Sequence, residues 1–145
     1  MSLFDFFRSN EDDARKSYIK ELIRVARADG HLEQREYDFL LKVGKKLDYS
    51  PEEIQKLSSE EQGEPGEIRQ YKKHRLKLIL DLVAIMMIDE SIDPKELGLC
   101  KSVAMQSGFE PQVIDDIVYR ISQEVKAGHT VELASKRVFH LYSQA

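Results

Sequence analysis

The sequence has few of the residues that mark several common classes of protein. It contains one cysteine, no tryptophan and four prolines among 145 residues. A single cysteine excludes both a disulfide framework and a zinc site built on cysteines, and it suits a reducing compartment. No run of about 20 apolar residues is present to span a bilayer. The first ten residues also lack the pattern of a signal peptide. We therefore expect a cytoplasmic protein.

The charge composition narrows the range of partners. Acidic residues number 26 and basic residues 22, which gives a net charge of −4. A chain that is acidic overall is not expected to bind nucleic acid through a broadly basic surface. Hydrophobic residues make up 41% of the chain and charged residues 33%, a mix typical of a globular domain. A chain of this length forms one domain with its own core.

Apolar residues recur with helical spacing along most of the chain, first between Tyr18 and Asp29 and again from Arg35 to Leu47. The stretch from 76 to 88 is apolar around most of its circumference, and it predicts a central buried helix from about 67 to 89. No strand pattern is present. The sequence therefore predicts an all-α, single-domain helical bundle of about seven helices.

Capping residues in the sequence mark the starts of several helices. Ser50-Pro51 and Asp93-Pro94 each precede a glutamate at the third helical position, which is the sequence of a capping box. Another helix is expected to start at Glu110-Pro111 and to end near Gly128. Thr130 is expected to cap the last helix.

A shift of 60 residues superposes the two halves of the chain without a gap, and the matched pairs include helix-start prolines and acids. This register predicts two three-helix repeats related by a pseudo-twofold axis. Repeat 1 spans about 18–59, repeat 2 about 67–122, and a linker at 60–66 joins them. A C-terminal helix follows at 130–143. Residues 1–14 form an N-terminal aromatic tail or short helix ahead of the domain at 15–145.

Each repeat carries an aspartate and, seven positions later, a glutamate across a helix–turn–helix corner. A calcium EF-hand loop is the first hypothesis to test. Placing Gly30 at position six puts Asp29 at five and Glu36 at twelve. Val25 and Arg27 then occupy positions one and three, where oxygen ligands are required. The sequence therefore excludes an ordinary EF-hand.

The first corner, residues 28–36 (ADGHLEQRE), resembles the signature of the tellurite-resistance TerB-like domain family. Residues 47–53 (LDYSPEE) are similar to that family's turn between its second and third helices. The resemblance covers roughly residues 18–122. It implies an all-helical fold of two inverted repeats and a role in the stress response through protein partners. Glu90 stands in the second corner where the first has Gly30, so the second corner departs from the pattern.

The resemblance also implies a metal site built from the acids of both corners. By motif position these are Asp29, Glu36, Asp89 and Glu96. Four carboxylates brought together would repel one another unless a hard divalent cation such as Ca²⁺ or Mg²⁺ neutralised them. No organic cofactor is implied. The competing interpretation is structural, because acids are favoured in first helical turns and both glutamates lie three residues after a cap position.

Other charged groups have two interpretations each. Lys16, Lys20, Arg24 and Arg27 form a stripe on one helix, and a second basic cluster spans 69–77. Each is either a solvated face paired with glutamates or a surface for an acidic partner or anionic lipid. Asp81, inside the central helix, is expected to pair with a base such as Lys77.

Three further features of the sequence are a cysteine, a histidine and an apolar N-terminal stretch. Cys100 is expected to be a buried small residue. His31 is expected to be a surface turn residue. The N-terminal Leu3-Phe4-Asp5-Phe6-Phe7 either folds onto the body or binds a partner or a membrane face.

The sequence shows no catalytic motif, so we expect a protein that is not an enzyme. The predicted function is a TerB-like stress-response binding module with a divalent-cation site at the acidic corners. The alternative is a ligand-free protein–protein or membrane-surface adaptor that uses the basic stripe and the N-terminal phenylalanines. We expect a protein partner, no specific nucleic acid, peripheral membrane contact at most, and a monomer or weak homodimer.

Overall fold

A computed structural model describes residues 12–27, 33–60, 72–88 and 92–144. Within these ranges all regular structure is helical and no strand occurs, which confirms the predicted all-α fold. The described helices are α1 (Asp12–Ala26), α2 (Gln34–Lys46), α3 (Pro51–Ser59), α4 (Lys72–Met87), α5 (Pro94–Gln106), α6 (Gln112–Lys126) and α7 (Val131–Ser143). None of them is long and apolar enough to cross a membrane.

Side-chain caps start several helices where the sequence predicts them. The Ser50 hydroxyl accepts a hydrogen bond from the Glu53 amide at 3.2 Å, and Glu53 Oε1 accepts from the Ser50 amide at 2.9 Å. The Thr130 hydroxyl accepts from the Leu133 amide at 3.1 Å. These bonds satisfy amides that the helix itself leaves without partners.

Two helix ends differ from the prediction. α1 runs from Asp12 to Ala26, so it begins before Tyr18, where the apolar spacing begins, and Asp29 lies outside the described residues. Apolar spacing misses its first turns because residues 12–17 of the sequence are mostly polar. α6 begins at Gln112, and Pro111 provides no side-chain cap. The predicted start of the central helix at 67, the linker residues 61–66 and the tail residues 1–11 lie outside the described residues.

α4 is the central helix, as predicted. Its residues 78–86 are all buried, and they contact side chains from the surrounding helices in one core. Asp81 lies within this run at 5% exposure, and its Oδ2 is 3.7 Å from the Lys77 ammonium. The predicted pairing of Asp81 is confirmed. Cys100 is also buried, as expected, and burial raises the pKa of its thiol.

Equivalent contacts recur at the 60-residue shift. An Arg15 terminal nitrogen donates to the Leu47 carbonyl at 3.1 Å, and Arg75 Nε donates to the Ser107 carbonyl at 3.0 Å. The bounds of α2 and α5 also differ by 60 residues at both ends. In each half an arginine of the first helix therefore ties down the end of the second helix. The pseudo-twofold axis and the domain limits stay predictions.

Candidate functional site

Glu36 and Glu96 occupy the same position at the starts of α2 and α5. Glu36 Oε1 accepts a hydrogen bond from the Glu33 amide at 3.2 Å, and Glu96 Oε1 accepts from the Asp93 amide at 3.2 Å. Asp93 Oδ1 in turn accepts from the Glu96 amide at 2.8 Å. The structural role predicted for both glutamates, closure of a capping box, is confirmed.

The start of α5 faces a base from α2. The pKa of Asp93 is lowered, chiefly because the Glu96 amide donates to its carboxylate, and the positive charge of Lys42 adds to the effect. Lys42 belongs to the second half of α2, so the first turn of α5 lies beside that half.

Glu36 lies beside the other end of α5. It is half-buried and borders a narrow cleft together with Ser102 and Gln106. The cleft encloses about 10 Å³, which is barely the space of one water molecule. Because Glu36 lies beside the second half of α5 and Glu96 is in its first turn, the two glutamates lie toward opposite ends of this helix pair.

The other two predicted metal ligands, Asp29 and Asp89, lie outside the described residues, and so does His31. Among the residues that the structure describes, no group of three or more His, Cys, Asp or Glu side chains is placed to hold a metal ion. The structure thus locates half of the predicted ligand set, and the metal site stays a prediction.

α1 carries several buried polar side chains, and one of them bonds to α4. Glu21 is 6% exposed and pairs with Arg24 in the same helix. The buried Tyr18 hydroxyl donates to the Leu78 carbonyl at 3.0 Å. Burial raises the pKa of Tyr18, and the nearby Asp81 adds to the shift. Glu21 matches Asp81 at the 60-residue shift, so each half of the chain buries an acid at this position.

The basic stripe on α1 is largely engaged within the molecule. Lys20 lies 3.8 Å from a Glu60 carboxylate oxygen, and Arg24 pairs with Glu21. An Arg27 terminal nitrogen donates to the Ser58 carbonyl at 2.8 Å. Three of the four stripe residues therefore bind acids or the end of α3, as the structural interpretation predicts.

The second basic cluster is also engaged within the molecule. Arg75 binds the end of α5 and Lys77 pairs with Asp81. The ammonium groups of Lys73 and Lys77 also lie 6.0 and 5.5 Å from the centre of the Phe139 ring, within cation–π range. These contacts attach α7 to the start of α4. Arg69, which precedes α4, lies outside the described residues.

The fold is therefore that of a helical bundle with two similarly capped acidic corners. A comparison with known families agrees: the family model described as Tellurite resistance protein TerB matches residues 2–59. This match confirms the resemblance to the TerB-like family over α1, α2, α3 and the first corner, and the resemblance expected from residue 60 to 122 stays a prediction. No curated protein and no solved structure gives a significant match to the chain.

Proposed function

We propose that this chain is a non-enzymatic binding module of the TerB-like kind that binds a divalent cation, Ca²⁺ or Mg²⁺, at its acidic corners. It would act in the cytoplasm, in a stress response, through a protein partner. One observation carries the proposal: Glu36 and Glu96 have the same capped position, with equal 3.2 Å bonds, in both halves of the chain.

The chemistry of the capped glutamates suits a hard cation. Each capping bond engages Oε1, and a carboxylate has a second oxygen with lone pairs available to a ligand. Ca²⁺ and Mg²⁺ prefer carboxylate, carbonyl and water oxygens. The cap also fixes the side chain in one orientation before any ion arrives, which lowers the entropy cost of binding.

The separation of the two glutamates decides how many ions we propose. Since Glu36 and Glu96 lie toward opposite ends of the α2–α5 pair, we assign one ion to each corner rather than one ion to four carboxylates. Asp29 would join Glu36 in the first site, and Asp89 would join Glu96 in the second. Backbone carbonyls and water would complete each coordination shell.

Calorimetric titration of the metal-free protein with Ca²⁺, Mg²⁺, Mn²⁺ and Zn²⁺ tests the proposal. The variants are Glu36→Gln and Glu96→Gln, each of which keeps an amide oxygen for the cap but removes the carboxylate charge. Glu53→Gln is the matched control, because Glu53 closes the same kind of capping box with Lys46 in place of the corner aspartate.

We expect saturable binding of about two ions in the wild type, one in each corner variant and two in the Glu53→Gln control. Equal losses of binding in all three variants would indicate a general effect of charge and would refute the corner sites. No binding in the wild type would leave the glutamates as caps and refute the proposed function.

The structure weighs against the alternative of an adaptor built on the basic stripe. Lys20, Arg24 and Arg27 are bound within the molecule, so an acidic partner would first have to displace those contacts. The N-terminal phenylalanines that the same alternative uses lie outside the described residues.

A further inference from the structure

The cleft beside Glu36 has an apolar floor and a polar mouth. Its apolar lining comes from α1, α2 and α5, and all of these side chains are buried. Glu36, Ser102 and Gln106 line the same cleft but are only half-buried, so they form its mouth. The enclosed space is about 10 Å³, which limits an occupant to the size of a single water molecule or ion.

The three side chains at this mouth all carry oxygen atoms. Glu36 lies in the first turn of α2 and contributes a carboxylate. Ser102 and Gln106 lie one helical turn apart on α5, so they face the same side of that helix. Their hydroxyl and amide oxygens are of types that coordinate Mg²⁺ or Ca²⁺ in proteins. The first corner therefore has oxygens from both helices of the α2–α5 pair.

The second corner has different residues at the matching positions. At the 60-residue shift Ser102 corresponds to Lys42, and Gln106 corresponds to Lys46. The Glu96 amide is the main cause of the lowered pKa of Asp93, and the positive charge of Lys42 adds to it. Lys42 thus lies near the first turn of α5. A lysine ammonium has donors but no acceptor, so it repels a cation and cannot coordinate one.

We propose that α5 completes the cation site of the first corner, where one ion binds Glu36 together with the side-chain oxygens of Ser102 and Gln106, and that Lys42 weakens cation binding at the second corner. This inference rests on the proposed function. It makes the first ion a link between the two halves of the chain, and it makes the two corners unequal although their capping boxes are alike.

Each corner can be measured alone. The Glu96→Gln background leaves the first corner intact, and the Glu36→Gln background leaves the second. In the first of these, Ser102→Ala and Gln106→Met each remove an oxygen with little change in volume. Ser122→Ala is the matched control, because Ser122 is a half-buried helix serine of α6 that does not line the cleft. Calorimetric titration with Ca²⁺ gives each Kd, and circular dichroism verifies each fold.

We expect Ser102→Ala and Gln106→Met each to weaken Ca²⁺ binding at the first corner about tenfold, the range found when a group supporting a metal site is lost. Ser122→Ala should change it less than about twofold. These losses should persist at high salt, because screening acts on charges and both side chains are neutral.

Lys42→Ser, made in the Glu36→Gln background, tests the second corner. Removing one unit charge near a divalent ion should tighten Ca²⁺ binding about fivefold, and the gain should shrink as salt is added. Lys72→Ser is the charge-matched control, because Lys72 is exposed at the start of α4. The bond from Arg75 ties that part of α4 to the opposite end of α5.

The outcomes separate this inference from the proposed function. If the wild type binds ions but Ser102→Ala and Gln106→Met leave the first-corner Kd unchanged, the role of α5 is overturned and the corner sites remain. Equal tightening by Lys72→Ser and Lys42→Ser would overturn the local effect of Lys42. A wild type that binds no ion would refute the proposed function, and this inference with it.

Discussion

Two helix glycines should respond in opposite directions to substitution by alanine. Gly44 lies in α2, and Gly98 lies in α5, the helix that matches α2 at the 60-residue shift although the two glycines do not match each other. A Cβ at Gly98 would have no heavy atom within 4 Å. A Cβ at Gly44 would lie 2.6 Å from Cδ1 and 2.7 Å from Cγ1 of Ile54. Ile54 is fully buried, so its side chain cannot move aside into solvent.

The magnitudes follow from two opposing effects. Alanine is favoured over glycine inside a helix by about 1 kcal/mol. Overpacking a dense core costs about 1 to 3 kcal/mol. At Gly98 only the first effect operates, so Gly98→Ala should raise the melting temperature by about 2 to 4 °C. At Gly44 the steric cost exceeds the gain, so Gly44→Ala should lower the free energy of unfolding by about 1 kcal/mol.

Urea unfolding followed by circular dichroism gives both free energies, and a third variant isolates the cause. Ile54→Ala removes the two atoms that a Cβ at Gly44 would meet. In that background Gly44→Ala should become stabilising, by about 1 kcal/mol. If Gly44→Ala stabilises the wild type as much as Gly98→Ala does, the close packing of α2 on α3 is refuted.

Two further predictions concern turns and pH. Asp48 has a φ of 66°, and its counterpart Gly108 has a φ of 89°. Because glycine adopts this left-handed conformation at the lowest cost, Asp48→Gly should raise the free energy of unfolding in urea by about 1 kcal/mol, and Gly108→Ala should lower it by about as much. A higher free energy of unfolding in both variants would contradict the left-handed turn. The hydroxyl of Tyr142, and next Arg120, hold the pKa of Asp116 below its usual range. The lowered pKa of Asp116 contributes to the free energy of unfolding. This contribution is complete above the unfolded pKa of about 3.9, and it is lost as the pH falls through the lower pKa of the folded state. Tyr142→Phe should therefore be less stable than the wild type at neutral pH, and this difference should shrink at acid pH; a constant difference would refute the assignment.

Local signals predict the helix limits well, because caps and prolines act on their immediate neighbours. Ser50, Asp93 and Thr130 each start a helix where the sequence places one. The start of α1 is missed, because its first turns are polar and no apolar period marks them. Apolar spacing reports which face is buried, and it carries no information where a stretch contains few apolar residues.

Long-range contacts are predicted less well. The pairing of Asp81 with Lys77 follows from their separation of one helical turn. The bonds from Arg15 to the end of α2 and from Arg75 to the end of α5 each join residues 32 positions apart. A charged side chain has many possible partners at that separation, and only the packed fold selects one. The basic stripe illustrates the same limit, because sequence alone leaves open whether it faces a partner or the molecule's own acids.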